Sequence, residues 1–308
     1  MKLPGKDSNL DKEYQKLLCY RYTTGYPVSI LAICFSGSKC DRSCHNGLFR
    51  NNPFDGNRFF EALMKLLQTL VASDGFRISI ENPRRTAHYQ LLMKRAEELR
   101  VDAILLPGGY WTVRNEVEVR ATAMEMAEMA RSRGIALIAG IDVEEEEPGR
   151  AKKSKVGPHP AFPYFGFAAA LGQALKLWQQ TSDNGSNSHD VPEEMIPSNQ
   201  RVVSIAGKNV ATLICGELYS PHARRAMGES NVDLVVDLGH VGMGQGLIPA
   251  MKCMVKAALC TVAHTQHVKS GSLHYLDARG IQNSVSCDEC EYVGDEDFWI
   301  AYTVRTIE

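Results

Sequence analysis

From Arg77 onward, short apolar runs alternate with amphipathic segments, and this alternation limits the fold more than any other feature of the chain. Arg77-Ile-Ser-Ile-Glu81 reads as a strand, and His88 to Arg100 as a helix with Leu91, Leu92, Ala96 and Leu99 on one face. Val101 to Leu106 is a second strand, closed by Pro107-Gly108-Gly109. A helix over Val117 to Arg133 and a strand over Gly134 to Gly140 follow. Such a succession predicts an α/β protein with right-handed crossovers.

The grammar then changes to hairpins and back again. Asp142 to Pro160 is a polar insertion with four consecutive glutamates, read as solvated loop. Tyr164 to Leu171 and Ala174 to Trp178 form a hairpin about Gly172-Gln173, and a polar loop covers Gln179 to Gln200. A second hairpin joins Arg201 to Ile205 with Val210 to Cys215. Beyond it come a helix opening at Pro221, a strand over Val232 to Leu238, a helix over Pro249 to Ala258 and a strand over Cys260 to His267. Leu273 to Leu276 and Asp277 to Gly280 make a further strand and turn. Residues 1–76 read as an N-terminal extension, with a strand at Val28 to Cys34 and a Cys-containing loop at Gly37 to Gly56. Its helix spans Phe59 to Val71, with Phe60, Leu63, Leu66, Leu67 and Leu70 at helical spacing. Residues 77–308 form the main domain.

Composition narrows the function class. A net charge of −2 gives no electrostatic case for nucleic acid or an anionic membrane. The N-terminus carries no apolar signal region, and no stretch reaches the roughly 18 apolar residues that span a bilayer. A cytoplasmic protein is expected. Nine cysteines in such a setting point to metal or reactivity before disulfides. Cys40 and Cys44 form a C-x3-C and Cys287 and Cys290 a C-x2-C. Four thiolates from two tight turns suit a structural zinc; the alternative is unpaired thiols.

Cys215 differs from the other cysteines. It ends the apolar run Ala211-Thr-Leu-Ile, and a helix opens six residues later at Pro221. The carboxyl end of a buried strand is where open α/β sheets place their chemistry, and a thiol there is accessible to substrate and to activating neighbours. His240, His264 and His267 follow or lie on strands near the same place; His240 is expected to contact substrate. Tyr110 and Trp111, after the Pro-Gly-Gly turn, are expected to wall the pocket.

In this order, the segments resemble the nitrilase superfamily of carbon–nitrogen hydrolases over roughly residues 77–306. The resemblance rests on Val101 to Pro107, Gly134 to Gly140, Ala174-Leu-Lys176-Leu-Trp178, Thr212-Leu-Ile-Cys215-Gly-Glu217, Ala263 to His267 and Tyr275 to Gly280. It implies a four-layer α-β-β-α sandwich, usually paired as a homodimer. It also implies a Glu–Lys–Cys triad that splits a small-molecule amide or nitrile through a thioester, with no cofactor. Cys215 is then the nucleophile. Lys176 would stabilise the oxyanion together with the backbone N–H of Gly216, and Glu217 would organise the nucleophile loop. The family's general base is a glutamate directly after the proline that closes the second strand, and here that position is Gly108. Glu81 is the candidate substitute, with Glu116 and Glu118 weaker ones. Without a substitute the chain would be a catalytically impaired member serving as a binding or assembly module. Pro107-Gly108-Gly109 also resembles the oxyanion loop of class I glutamine amidotransferases, but Leu213-Ile-Cys-Gly-Glu217 lacks the first glycine of their nucleophile elbow.

Overall fold

Side chains at consecutive positions of one strand bury into different cores. Ile104 packs with Leu92 and Met126, whereas its neighbour Leu105 packs with Ile214 and Val236. Val236 shares that second core, while Val235 joins Met227, Met251 and Met254 in a third. Because side chains alternate across a strand, three cores divided in this way require two stacked sheets, each covered by helices on its outer face. The α-β-β-α sandwich expected from the sequence is present.

The computed structural model describes residues 63–72, 82–144, 162–182, 198–240, 244–268 and 271–308. Arg58–Glu308 forms one compact unit, and Met1–Asn57 is a second, which lies outside the described residues. Cys40, Cys44, Glu81 and the strand expected at 77–81 are also outside them. In chain order the elements are β1 (Met64–Ala72), α1 (Asn82–Leu99), β2 (Ala103–Leu105), β3 (Trp111–Val113), α2 (Glu116–Arg131), β4 (Ala136–Val143), β5 (Tyr164–Ala169) and β6 (Lys176–Gln179). Then come β7 (Val202–Ile205), β8 (Lys208–Ile214), α3 (Pro221–Gly228), β9 (Leu234–Leu238), α4 (Leu247–Ala258) and β10 (Thr261–Thr265). The chain closes with β11 (Ser272–Leu273), β12 (Tyr275–Leu276), β13 (Val285–Ser286), β14 (Glu291–Gly294) and β15 (Trp299–Ile307).

Among the described residues, one sheet runs β14-β15-β1-β2-β4-β5-β6, with β3 beside the end of β4. The other runs β12-β10-β9-β8-β7. The pairs β1–β2, β2–β4, β8–β9 and β9–β10 are parallel, so both sheets deliver strand carboxyl ends to one edge of the sandwich. No described helix is long and apolar enough to cross a membrane.

The helix expected over Phe59 to Val71 is a strand instead. β1 is buried at every position but Lys65, because it lies inside a sheet with a core on each face. A strand covered on both sides is apolar without alternation, and periodicity alone does not separate that pattern from a helix. β15 was not read from the sequence; it pairs antiparallel with β1 along its whole length. Helix starts follow local chemistry. Asn115 caps α2 by accepting from Val117 N at 3.1 Å and Glu118 N at 3.2 Å, and the Glu118 carboxylate takes Arg114 N in return. Ser220 caps α3 ahead of Pro221.

β2 and β3 lie along the same neighbour, β4, and the chain between them bends through Gly108 and Gly109. That loop is pressed so closely onto β4 that a Cβ on Gly140 would stand 2.5 Å from Gly108 Cα. The obstacle is backbone on both sides. Gly140→Ala should therefore cost about 1–3 kcal/mol through overpacking. The expected readout is a lower urea midpoint at unchanged slope, and an unchanged midpoint would refute the close approach.

Candidate active site

β8 ends at Ile214, and Cys215 takes φ +48° to turn the chain into a single helical turn, Cys215–Tyr219. A non-glycine residue in the left-handed region costs about 1–3 kcal/mol and is held only when its surroundings demand it. Here the demand comes from Glu217. Its carboxylate is fully buried and accepts from Ile214 N at 2.9 Å, Thr181 N at 2.7 Å and Thr181 Oγ1 at 2.9 Å. Arg201, itself 1% exposed, binds the same carboxylate through both terminal nitrogens. Glu217 thus braces the turn that carries Cys215, with both carboxylate oxygens hydrogen-bonded.

Cys215 is partly exposed, and its hydrogen-bond partner is His240. His240 follows the carboxyl end of β9, and its Nε2 lies 2.9 Å from Oδ1 of Asp142, near the end of β4. Tyr164, the first residue of β5, lays its ring 4.4 Å from the imidazole. Asp142 comes from one sheet, His240 and Cys215 from the other. Burial on its own pulls the His240 pKa down, but the charge and hydrogen bond of Asp142, with Cys215, outweigh it and raise the value to about 10. With Nε2 on the carboxylate, Nδ1 is the ring nitrogen left for the thiol. A nucleophile, an imidazole and an orienting carboxylate in sequence are the parts of a Cys–His–Asp relay.

The loop behind His240 is fixed by its carbonyls. His267 Nε2 donates to Gly108 O at 2.9 Å, and Arg85, buried in α1, donates from one nitrogen to Gly109 O and Tyr110 O. Burial, aided by the Arg85 and His240 charges, holds His267 neutral, its pKa well below the usual imidazole value. Gly108 N in turn donates to Gly239 O, next to His240. His264 is bound to Asp237 at 2.7 Å with both side chains fully buried, so it stands in the framework and not in the pocket.

Three solved structures of an amidase from Nesterenkonia share this architecture. The amidase from Nesterenkonia sp. superposes with TM-score 0.52 at 17% identity, covering 78% of this chain and 90% of that one. A cysteine-to-alanine mutant of the Nesterenkonia AN1 amidase, described as from the nitrilase superfamily, gives 0.53 at 16% identity over the same shares. A glutamate-to-glutamine mutant, carrying the acetamide moiety of fluoroacetamide on its active-site cysteine, gives 0.51 at 17% over the same shares. This chain has the nitrilase fold. No family model matches it, and no curated protein matches it by sequence.

Within the nitrilase fold the remaining expected residues fall as follows. Tyr110 and Trp111 do not wall the pocket; they are 0% and 1% exposed in the core beneath α1 and α2, where Tyr110 Oη donates to Arg85 O. They follow a loop at the sheet edge, but the chain re-enters the sheet as β3 and turns both rings to the helix side. Lys176 starts β6 and donates from Nζ to Val202 O. It lies opposite Ala168, whereas Gln180 is level with Tyr164. Four residues of strand separate Lys176 from that level, about 13 Å at ~3.3 Å per residue. Glu116 and Glu118 are exposed at the start of α2. Cys287 is buried and the Cys290 thiol bonds to Ser286 O; no group of three or more metal-binding side chains occurs among the described residues.

Asp142 was missed because the sequence placed it in the polar insertion. β4 in fact continues through Ile141-Asp-Val143, and a lone carboxylate at the end of an apolar strand was the signal that marked it. A side chain at position 108 would be obstructed: a Cβ on Gly108 would stand 2.9 Å from His240 Nε2 and 2.8 Å from Leu238 O. The imidazole occupies the space where that side chain would begin.

Two outcomes follow. Glu217→Ala strands the buried Arg201 charge and should lower stability by about 3–5 kcal/mol, read from denaturant unfolding; a loss below 1 kcal/mol would show that the turn does not depend on it. The His240 pKa of about 10 lies above the ordinary 6.5, so the imidazolium–Asp142 pair stabilises fully below pH 6.5 and loses its contribution as pH rises through 10. The stability advantage of wild type over His240→Gln should shrink across that interval, and an advantage that grows with pH would contradict the ion pair.

Proposed function

We propose that this chain is a carbon–nitrogen hydrolase that cleaves a small amide through a thioester on Cys215, with His240 and Asp142 in place of the glutamate and lysine of the nitrilase superfamily. The observation that carries the reading is His240, hydrogen-bonded to both Cys215 and Asp142. The active-site cysteine of the Nesterenkonia amidase, which in a glutamate-to-glutamine mutant carries the acetamide moiety of fluoroacetamide, supports it.

In the resting site the raised His240 pKa keeps a proton on the imidazole, held by Asp142 and next to Cys215. The sulfur attacks the amide carbon, and the backbone N–H of Gly216 with the imidazolium faces the developing oxyanion. His240 passes its proton to the leaving nitrogen as the C–N bond breaks. The acylated sulfur no longer carries charge, so the neutral imidazole takes a proton from water, which attacks the thioester and releases the acid. Asp142 holds the ring and neutralises its charge in both halves.

Fluoroacetamide should label wild type on Cys215 alone, and Cys215→Ala should remove the adduct in intact-mass measurement. His240→Ala should lower amide turnover by about 10²–10⁴, the usual value of a positioned acid–base group. Wild type without labelling at Cys215 would overturn the hydrolase reading in favour of a binding or assembly role. Gly108→Glu, which restores the family residue against His240, should lower turnover and not raise it.

A further inference from the structure

The end of β6 and the residues after it carry polar groups that no described residue satisfies. Trp178 and Gln180 occupy alternate positions at the end of β6, and Ser182 comes two residues later. Their exposures are 7%, 5% and 2%. Among the described residues Trp178 Nε1, Gln180 Oε1 and Ser182 Oγ have no hydrogen-bond partner. Gln180 uses its amide nitrogen on Ser182 O, so the oxygen is the end left over.

Trp178 faces the space between the sheets. Trp178 pairs with Gly166, and a Cβ there would meet Nε1 at 2.8 Å, so the indole lies across the glycine. Gln180 is level with Tyr164, whose ring contacts His240. Trp178, Tyr164 and Cys215 belong to the same core between the sheets. A buried polar group left unpaired is costly, and three at alternate positions close to the Tyr164–His240 contact call for an occupant.

We propose that Trp178, Gln180 and Ser182 form a recognition subsite for a neutral carboxamide or ureido group on the part of the substrate remote from the scissile bond. This rests on Cys215 being the reacting centre. The chemistry of the row decides the class. An indole N–H donates only, the Gln180 oxygen accepts only, and a hydroxyl does either. A carboxamide offers a carbonyl to the first and an N–H to the second. A carboxylate would meet the Gln180 oxygen with a like charge, and an ammonium would meet the indole N–H with a donor. Arg201 lies nearby, but its charge is neutralised by Glu217. The subsite therefore rejects both ions as well as accepting the amide.

The test compares glutaramide, glutaramate and pentanamide, which share chain length and one primary amide. Binding is measured by calorimetry on the Cys215→Ala protein, where no chemistry intervenes. Glutaramide should bind about tenfold tighter than either of the others, the worth of one to two net hydrogen bonds. Trp178→Phe keeps an aromatic ring and removes the donor, and Gln180→Met keeps the chain length and removes the acceptor; each should bring the preference for glutaramide over pentanamide towards unity. Equal binding of all three, or a preference that survives both substitutions, would overturn the subsite. Ser182→Ala gives a third reading should either larger residue fail to fold. The two proposals fail separately: selective glutaramide binding without fluoroacetamide labelling of wild type retains the subsite and sinks the hydrolase. Labelling without selectivity does the reverse.

Discussion

The stacking of two sheets face to face is the constraint on which the molecule depends. Each sheet is apolar on both sides, so neither is stable without the other and its own helices. The same packing creates the site. Asp142 and Tyr164 come from strands of one sheet, and Cys215 and His240 from the other, so the reactive cluster exists only where the two edges meet. No single element holds more than one member of the Cys215–His240–Asp142 relay.

The Gly108 loop and His240 are coupled sterically. A side chain at position 108 and an imidazole at position 240 compete for one volume, and the glycine yields it to the histidine. Gly109 and Gly140 extend the same economy of space, because a Cβ on either would strike Asp142 or the Gly108 backbone. Beside the thiol stand one carboxylate, Asp142, and one imidazole, His240.

Charge that is buried elsewhere in the molecule is used for shape. Glu217 and Arg201 neutralise each other and hold the strained turn at Cys215. Arg85 and His267 hold three successive carbonyls of the loop behind His240. These groups carry no reacting atom, and their removal would alter where the relay stands. The orphaned groups of Trp178, Gln180 and Ser182 differ from them in having nothing yet to hold.

The sequence by itself determined the succession of most strands and helices and the place of Cys215 at a strand end, because local apolar periodicity and turn chemistry act over a few residues. It also marked the empty place at Gly108. It misread β1, since a strand buried on both faces has lost the alternation that identifies strands. It placed Tyr110 and Trp111 on the wrong side of a sheet, because the face to which a loop returns is set by pairing with β4. It could not join Asp142, Cys215 and His240. They stand 73 and 25 residues apart along the chain and share no local pattern. Only the packing of one sheet on the other brings them within hydrogen-bond reach, and only the absence of a side chain at Gly108 lets the histidine fit.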